Sequence, residues 1–215
     1  MRVSLCLLFL PLAAGAADTP PVRAEFVAPD RPELAALVRA GEAATAEVAT
    51  KLLAELTVAM SDGRPEAAVE VCHLKALPVT AEKNALLPEV LAVKRTSDRV
   101  RNPVNAPDAA EQRALAHAAT LLAAGKTLPP LLVQRIESGA SGSLEWRVYR
   151  PVFVQPACLA CHGEPAAQSA ELRAALQQRY PADAALHYRA GDWRGFIRAT
   201  VAFSPGQSNR PQRRP

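Results

Sequence analysis

The spacing of apolar residues changes period partway along the chain, from threes and fours to twos. From Pro32 onward, Leu34, Leu37, Val38, Gly41, Thr45, Val48, Leu52, Leu56 and Ala59 recur at threes and fours, the pattern of a helix that lays one face on a core. Ser61-Asp62-Gly63 breaks this run. Pro65 then suits the first turn of a second helix, where the amide it lacks has no partner anyway, and Glu66 faces the positive end. That helix runs to about Ala76, carries Cys72 and His73, and is stopped by Pro78. With Pro78, Pro88, Pro103 and Pro107 in it or at its ends, the stretch 79–106 is predicted to be irregular with short helical turns. Asp108 and Glu111 open a third helix that reaches Leu122 and ends at Gly125.

In the second half, Leu131 to Glu137 reads as a strand and Ser138 to Gly142 as a turn. Leu144 to Val154 is a long partner strand, with Leu144, Trp146, Val148, Val152 and Val154 on one face. A short helix over Ala170 to Arg179 and a closing strand from Gly195 to Phe203 complete the pattern. Helices first and an antiparallel sheet later predict an α+β fold.

Composition narrows the class. At 215 residues, with 49% apolar and 21% charged residues, one domain with a true core is the default. Aromatics are only 5%, too few for a base-stacking platform. The net charge of +4 comes from Arg2, Arg210, Arg213 and Arg214 at the chain ends, and without them 21 basic residues face 21 acidic ones. The body is thus near neutral, and no nucleic-acid partner is expected. Residues 1–17, MRVSLCLLFLPLAAGAA, have one Arg, an apolar run from Val3 to Leu12 and small residues at the end. This is the layout of a cleaved signal peptide, with the cut near Ala16 or Ala17. The expected organisation is therefore a signal peptide at 1–17, a Pro-rich flexible lead-in at 18–30, one domain at 31–204 and an Arg-rich tail at 205–215. The apolar run is short for a membrane span; the mature chain is expected to be exported, or periplasmic, with no integral membrane segment.

The chemistry lies in Cys158-Leu159-Ala160-Cys161-His162, the Cys-x-x-Cys-His pattern of covalent haem c attachment. Two thiols at this spacing can add to the two vinyl groups of one haem, and the adjacent imidazole then reaches the iron. Two other readings compete: a small disulfide between Cys158 and Cys161, as exported pairs often form, or a Cys₃His zinc site completed by Cys72. Cys72 itself is either a buried thiol acting as a small hydrophobe or the sixth ligand of a haem iron. His73 competes with it for that place, His117 and His187 more weakly, and a His/Met pair is possible only through Met60. Arg95 and Arg101 are candidates to pair with haem propionates, since a guanidinium binds carboxylates with two parallel bonds; alternatively Arg101 pins the Pro-rich loop to the body.

Four blocks carry a family resemblance: Ala67-Ala68-Val69-Glu70-Val71-Cys72; Arg95-Thr96-Ser97 running into Arg101-Asn102-Pro103-Val104-Asn105-Ala106-Pro107-Asp108 and Glu111; Tyr149-Arg150-Pro151 leading to Cys158 through Gly163; and Tyr180-Pro181-Ala182-Asp183-Ala184, then Gly191-Asp192-Trp193-Arg194-Gly195. Over about Pro32 to Phe203 the chain resembles the PAS-like, single-haem c-type proteins, a bacterial family grouped as a haem domain of unknown function. The resemblance implies a PAS-like α+β fold and one haem held by His162 and Cys72. The chain departs from the family pattern at Ala76-Leu77-Pro78, where an Ala-Pro pair is usual, and in having His73 directly after Cys72. The choice between those neighbours stays open, with the apolar helix face favouring Cys72.

Two functions follow as expectations. One is electron transfer with a redox partner protein; the other is a haem-based redox or NO/CO sensor that acts through a partner. No acid–base pair is placed beside the motif by sequence, so enzymatic activity is not expected.

Overall fold

The computed structural model describes residues 23–61, 63, 65–74, 87, 89–137 and 143–203. The expected signal peptide and the Arg-rich tail lie outside the described residues, as does the Ser138 to Gly142 turn.

Five antiparallel strands form one sheet in the order β1-β3-β4-β5-β2. They are β1 (Arg23–Val27), β2 (Val90–Thr96), β3 (Leu132–Glu137), β4 (Leu144–Phe153) and β5 (Trp193–Val201). The helices are α1 (Ala35–Met60), α2 (Pro65–Leu74), α3 (Ala109–Ala123), the single-turn α4 (Leu159–His162) and α5 (Ala170–Arg179). This is the expected PAS-like α+β arrangement.

The sheet is covered on both faces, and the period-two alternation decides which residue goes where. On one face Leu37, Ala40, Ala44 and Val48 of α1 pack against Val93, Val133, Trp146, Val148, Ile197 and Ala199. Gly41 allows α1 to come this close, because a Cβ there would lie 2.4 Å from Val148 Cγ2. On the other face Ala114, Leu115 and Ala118 of α3 meet Leu132, Tyr149 and Phe196. Beneath α3 lies a buried ionic group. Glu111, fully buried, accepts hydrogen bonds from Lys94 Nζ at 2.7 Å and Arg198 Nε at 3.0 Å. Asp108 and Glu111 cap each other's amides at the start of α3, the reciprocal arrangement of a capping box. The same helix ends with Gly125 at φ +70 and the Lys126 amide donating back to the Leu121 carbonyl, where glycine relieves the left-handed turn.

Two expectations are corrected. Residues 18–30 are not all a flexible lead-in: Arg23–Val27 forms the edge strand β1, paired with β3 and anchored by Phe26 stacking on His117 at 4.1 Å. The stretch 79–106 is not wholly irregular either, since it contains β2. A bulge between Val90 and Ala92 shifts the register there, so Val90 and Val93 both point inward while Leu91 is 58% exposed. A spacing of three is helical, not strand-like, and that hid the strand. Pro151 lies within β4 but beyond its pairing with β3, which ends at Tyr149; that side of the strand needs no amide donor.

Candidate functional site

At 1.5 Å per residue α1 spans roughly 39 Å, and its first half suffices to cross the sheet. Its second half, from Ala49 to Met60, runs on past the strands and walls a cavity of about 380 Å³. The opposite walls come from Ala68 and Val69 of α2, the end of β4, the start of β5 and Leu176 and Tyr180 at α5. The lining is mostly apolar, and the volume falls in the range of small-molecule sites.

The Cys-x-x-Cys-His turn opens onto this cavity, and Cys158, Cys161 and His162 all line it. A 3₁₀ turn over Pro156–Cys158 leads directly into α4, so the motif is wound into consecutive turns. Cys158 and Cys161 are half-buried and are not joined in a disulfide. Gly163 ends the motif where a Cβ would lie 2.6 Å from the Leu159 carbonyl oxygen. The next segment is stitched to the motif, with the Tyr188 amide donating to the His162 carbonyl and the His187 amide to the Gly163 carbonyl.

His162 Nδ1 lies 2.8 Å from the Ala185 carbonyl oxygen. A carbonyl only accepts, so Nδ1 carries the proton and Nε2 keeps its lone pair. Burial, together with the Arg101 and Arg194 guanidiniums, pushes the imidazole down to about 3. It is therefore neutral, the form that binds a metal.

Arg101 reaches across to the motif. Its Nε donates to Asp183 Oδ2 at 2.9 Å, and its Nη2 to the Cys161 carbonyl at 2.6 Å and the Ala185 carbonyl at 3.3 Å. Asp183 Oδ1 in turn accepts from the Ala185 amide at 2.8 Å. Arg101 thus ties together the motif, the His162 acceptor and the 183–185 loop. Arg95 lines the same cavity from β2. Arg194, which lines it from β5, and Asp183 had no role in the sequence reading; the one available cue was their place in the last resemblance block.

The structure does not bring His117 or His187 to the cavity. His117 stacks on Phe26, and His187 is exposed with its Nδ1 2.7 Å from Glu164 Oε2. Met60, at the end of α1, does line it. Cys72 and His73 lie on α2, whose Ala68 and Val69 face the cavity; their side chains are outside the described residues. Among the described residues, no cluster of three His, Cys, Asp or Glu side chains could hold a metal ion, and no helix is long and apolar enough to cross a membrane.

Fold and cavity together define a class: a PAS-like α+β domain whose Cys-x-x-Cys-His turn opens on an apolar cavity beyond the end of the sheet. The chain belongs to the Tll0287-like family, whose model matches residues 31–202. It is also similar to a solved structure described as that of the cyanobacterial heme-protein Tll0287, at 23% identity and a TM-score of 0.51, over 80% of this chain and 96% of that one. A likeness at that identity bears on the fold. No curated protein sequence matches the chain.

Proposed function

We propose that this chain is an exported, single-haem c-type protein that exchanges electrons with a partner protein. One observation carries the reading: Cys158, Cys161 and a neutral His162 with Nδ1 tied to a carbonyl converge on one apolar cavity. The residues fit haem chemically. Two thiols would form the thioether bonds, Nε2 of His162 would bind the iron, apolar walls would surround the macrocycle, and the guanidiniums in the lining would pair with its carboxylates. When bound, haem supplies one-electron Fe(III)/Fe(II) chemistry. The chain's own part is to fix the imidazole tautomer and orientation through Ala185 and to keep water from the site with α1 and α5.

The sixth ligand in this reading is Cys72 on α2, the choice the family resemblance favours, with His73 as its neighbour in competition. Met60 is the second possibility, and its place in the cavity lining supports it. A sensor role has its own support: α2 packs on α1 and α5 and walls the cavity, so release of a ligand carried by α2 would free a short helix to signal to a partner.

The test is direct. Protein matured in the presence of a haem c assembly system gains the mass of one haem and keeps it through acid–acetone extraction. Extractable haem, or a Cys158–Cys161 disulfide in the mature chain, overturns the proposal. Secreted product beginning just after Ala16 or Ala17 supports export, and retention of residues 1–17 argues against it.

A further inference from the structure

We propose that Arg194 is the residue that receives a carboxylate of the group bound in the cavity, while Arg101 does not. The inference rests on the haem reading above and assigns it a residue that the sequence left without a role.

Arg101 keeps only Nη1 for a ligand, which leaves it without the two-nitrogen fork that a carboxylate takes. Its Nε is committed to Asp183 and its Nη2 to two backbone carbonyls. Arg194 is different. It stands at the start of β5, beside Gly195, whose φ of +139 and close approach to the Thr96 carbonyl leave no room for a Cβ. Among the described residues the Arg194 guanidinium makes one hydrogen bond, from Nη1 to Ser97 Oγ at 2.5 Å, and no ion pair. The carboxylate of Asp183 is already engaged by Arg101 and the Ala185 amide.

Its position is nevertheless fixed. The Arg194 guanidinium carbon lies 5.4 Å from the centroid of the Tyr188 ring, and that of Arg99 lies 4.0 Å from it. Tyr188 also stands edge-on to His162, with ring centroids 6.1 Å apart. Burial, with the charges of Arg101 and Arg95 beside it, lowers the hold of Arg194 on its proton. A desolvated cation that faces two more of its own sign is costly unless an anion joins it. Arg194 lines an otherwise apolar cavity with donors to spare, and a fork of this shape matches a carboxylate. The chemical class that satisfies both features is a carboxylate on a large apolar body, as the propionates are on haem.

The experiment compares holoprotein carrying Arg194→Gln or Arg194→Lys with the wild type, by mass, redox midpoint and resonance Raman spectroscopy of the propionate bending mode. Arg194→Gln is expected to retain covalent haem, lower the midpoint because a positive charge that disfavours Fe(III) is gone, and move the propionate mode. Arg194→Lys is expected to restore much of the midpoint but not the mode, since an ammonium lacks the fork. A retained haem with midpoint and propionate mode unchanged in Arg194→Gln overturns the assignment and leaves the haem reading intact. Should Arg194→Gln fail to fold, an unchanged mode in Arg194→Lys overturns it equally. A wild-type chain without covalent haem overturns the underlying reading, and this assignment with it.

Discussion

Replacing Arg101 by Ala should cost stability, because its side chain is spent on the chain itself. Arg101 and Asp183 form a buried pair at 2.9 Å, with side chains only 12% and 8% exposed. The substitution strands the Asp183 carboxylate with the Ala185 amide as its described partner and leaves the Cys161 carbonyl with Gln168 Nε2 at 3.3 Å. Removing one partner from a buried pair costs about 3–5 kcal/mol. The lower end applies here, since some water reaches the pair and Asp183 keeps one bond. A loss of about 3 kcal/mol corresponds to a melting temperature lower by about 6–12 °C for a chain of this size. Thermal unfolding of holoprotein, followed by circular dichroism, reads this directly. Arg101→Lys should lose most of the same stability, because an ammonium cannot reach Asp183 and two carbonyls along the directions of the fork. Arg101→Ala combined with Asp183→Ala should be milder than the sum of the two single changes, with a coupling of about 1–3 kcal/mol. Wild-type melting in Arg101→Ala, or a cycle without coupling, would refute the argument that this arginine is a brace.

Other expectations follow from single contacts. Gly41→Ala places a Cβ 2.4–2.9 Å from three atoms of Val148 and should cost about 1–3 kcal/mol in urea unfolding; an unchanged midpoint would mean that α1 shifts freely on the sheet. For Asp108, burial alone would raise the carboxyl, but the Glu111 amide and the Arg147 guanidinium outweigh it and hold it below its ordinary value of 3.8. The stability it contributes is complete above the unfolded value and is lost as pH falls through the lower folded one. Asp108→Asn keeps a cap and should flatten the acid limb of the stability curve, and coincident acid-unfolding curves for the two proteins would contradict this. Among Cys72→Ala, His73→Ala and Met60→Leu, only the first should remove thiolate features from the ferric absorption spectrum and raise the midpoint, since anionic sulfur favours Fe(III). A change of spin state in His73→Ala or Met60→Leu alone would move the axial ligand to that residue.

Much of the fold could be read along the chain, and the failures have specific physical causes. The helix from Pro32, the capped start at Asp108, the stop at Gly125 and the long strand through Trp146 and Val148 all depend on local rules of period and capping, and all are present. The edge strands were missed. β1 has only five residues between prolines and takes its stability from β3 and from His117, a residue 91 positions further along than Phe26. β2 carries a bulge that erases its alternation. In the site, the Cys-x-x-Cys-His turn was legible because its residues are adjacent in sequence. Arg194 was not, because its meaning depends on three other arginines and a tyrosine brought near by the fold.

The segment from Arg101 to Glu111 shows why one short block can mark a fold. Arg101, at its start, reaches to the Cys161 and Ala185 carbonyls on the cavity side. Asn102 Oδ1 then caps the 3₁₀ turn over Pro103–Asn105 by accepting from the Val104 amide at 3.2 Å. The Ala106 carbonyl accepts from Lys94 Nζ on β2. Asp108 begins α3, and both of its carboxylate oxygens lie 2.8 Å from Arg147 Nη1 on β4. Glu111 ends the block inside the ionic group on the opposite face of the sheet. Eleven residues therefore brace the Cys-x-x-Cys-His turn at one end and anchor α3 to β2, β4 and β5 at the other. Arg101, Asp108 and Glu111 each have a partner far away in sequence, while Asn102 shapes the turn between them. An insertion within the block would disengage one end or the other, so its length is as constrained as its composition.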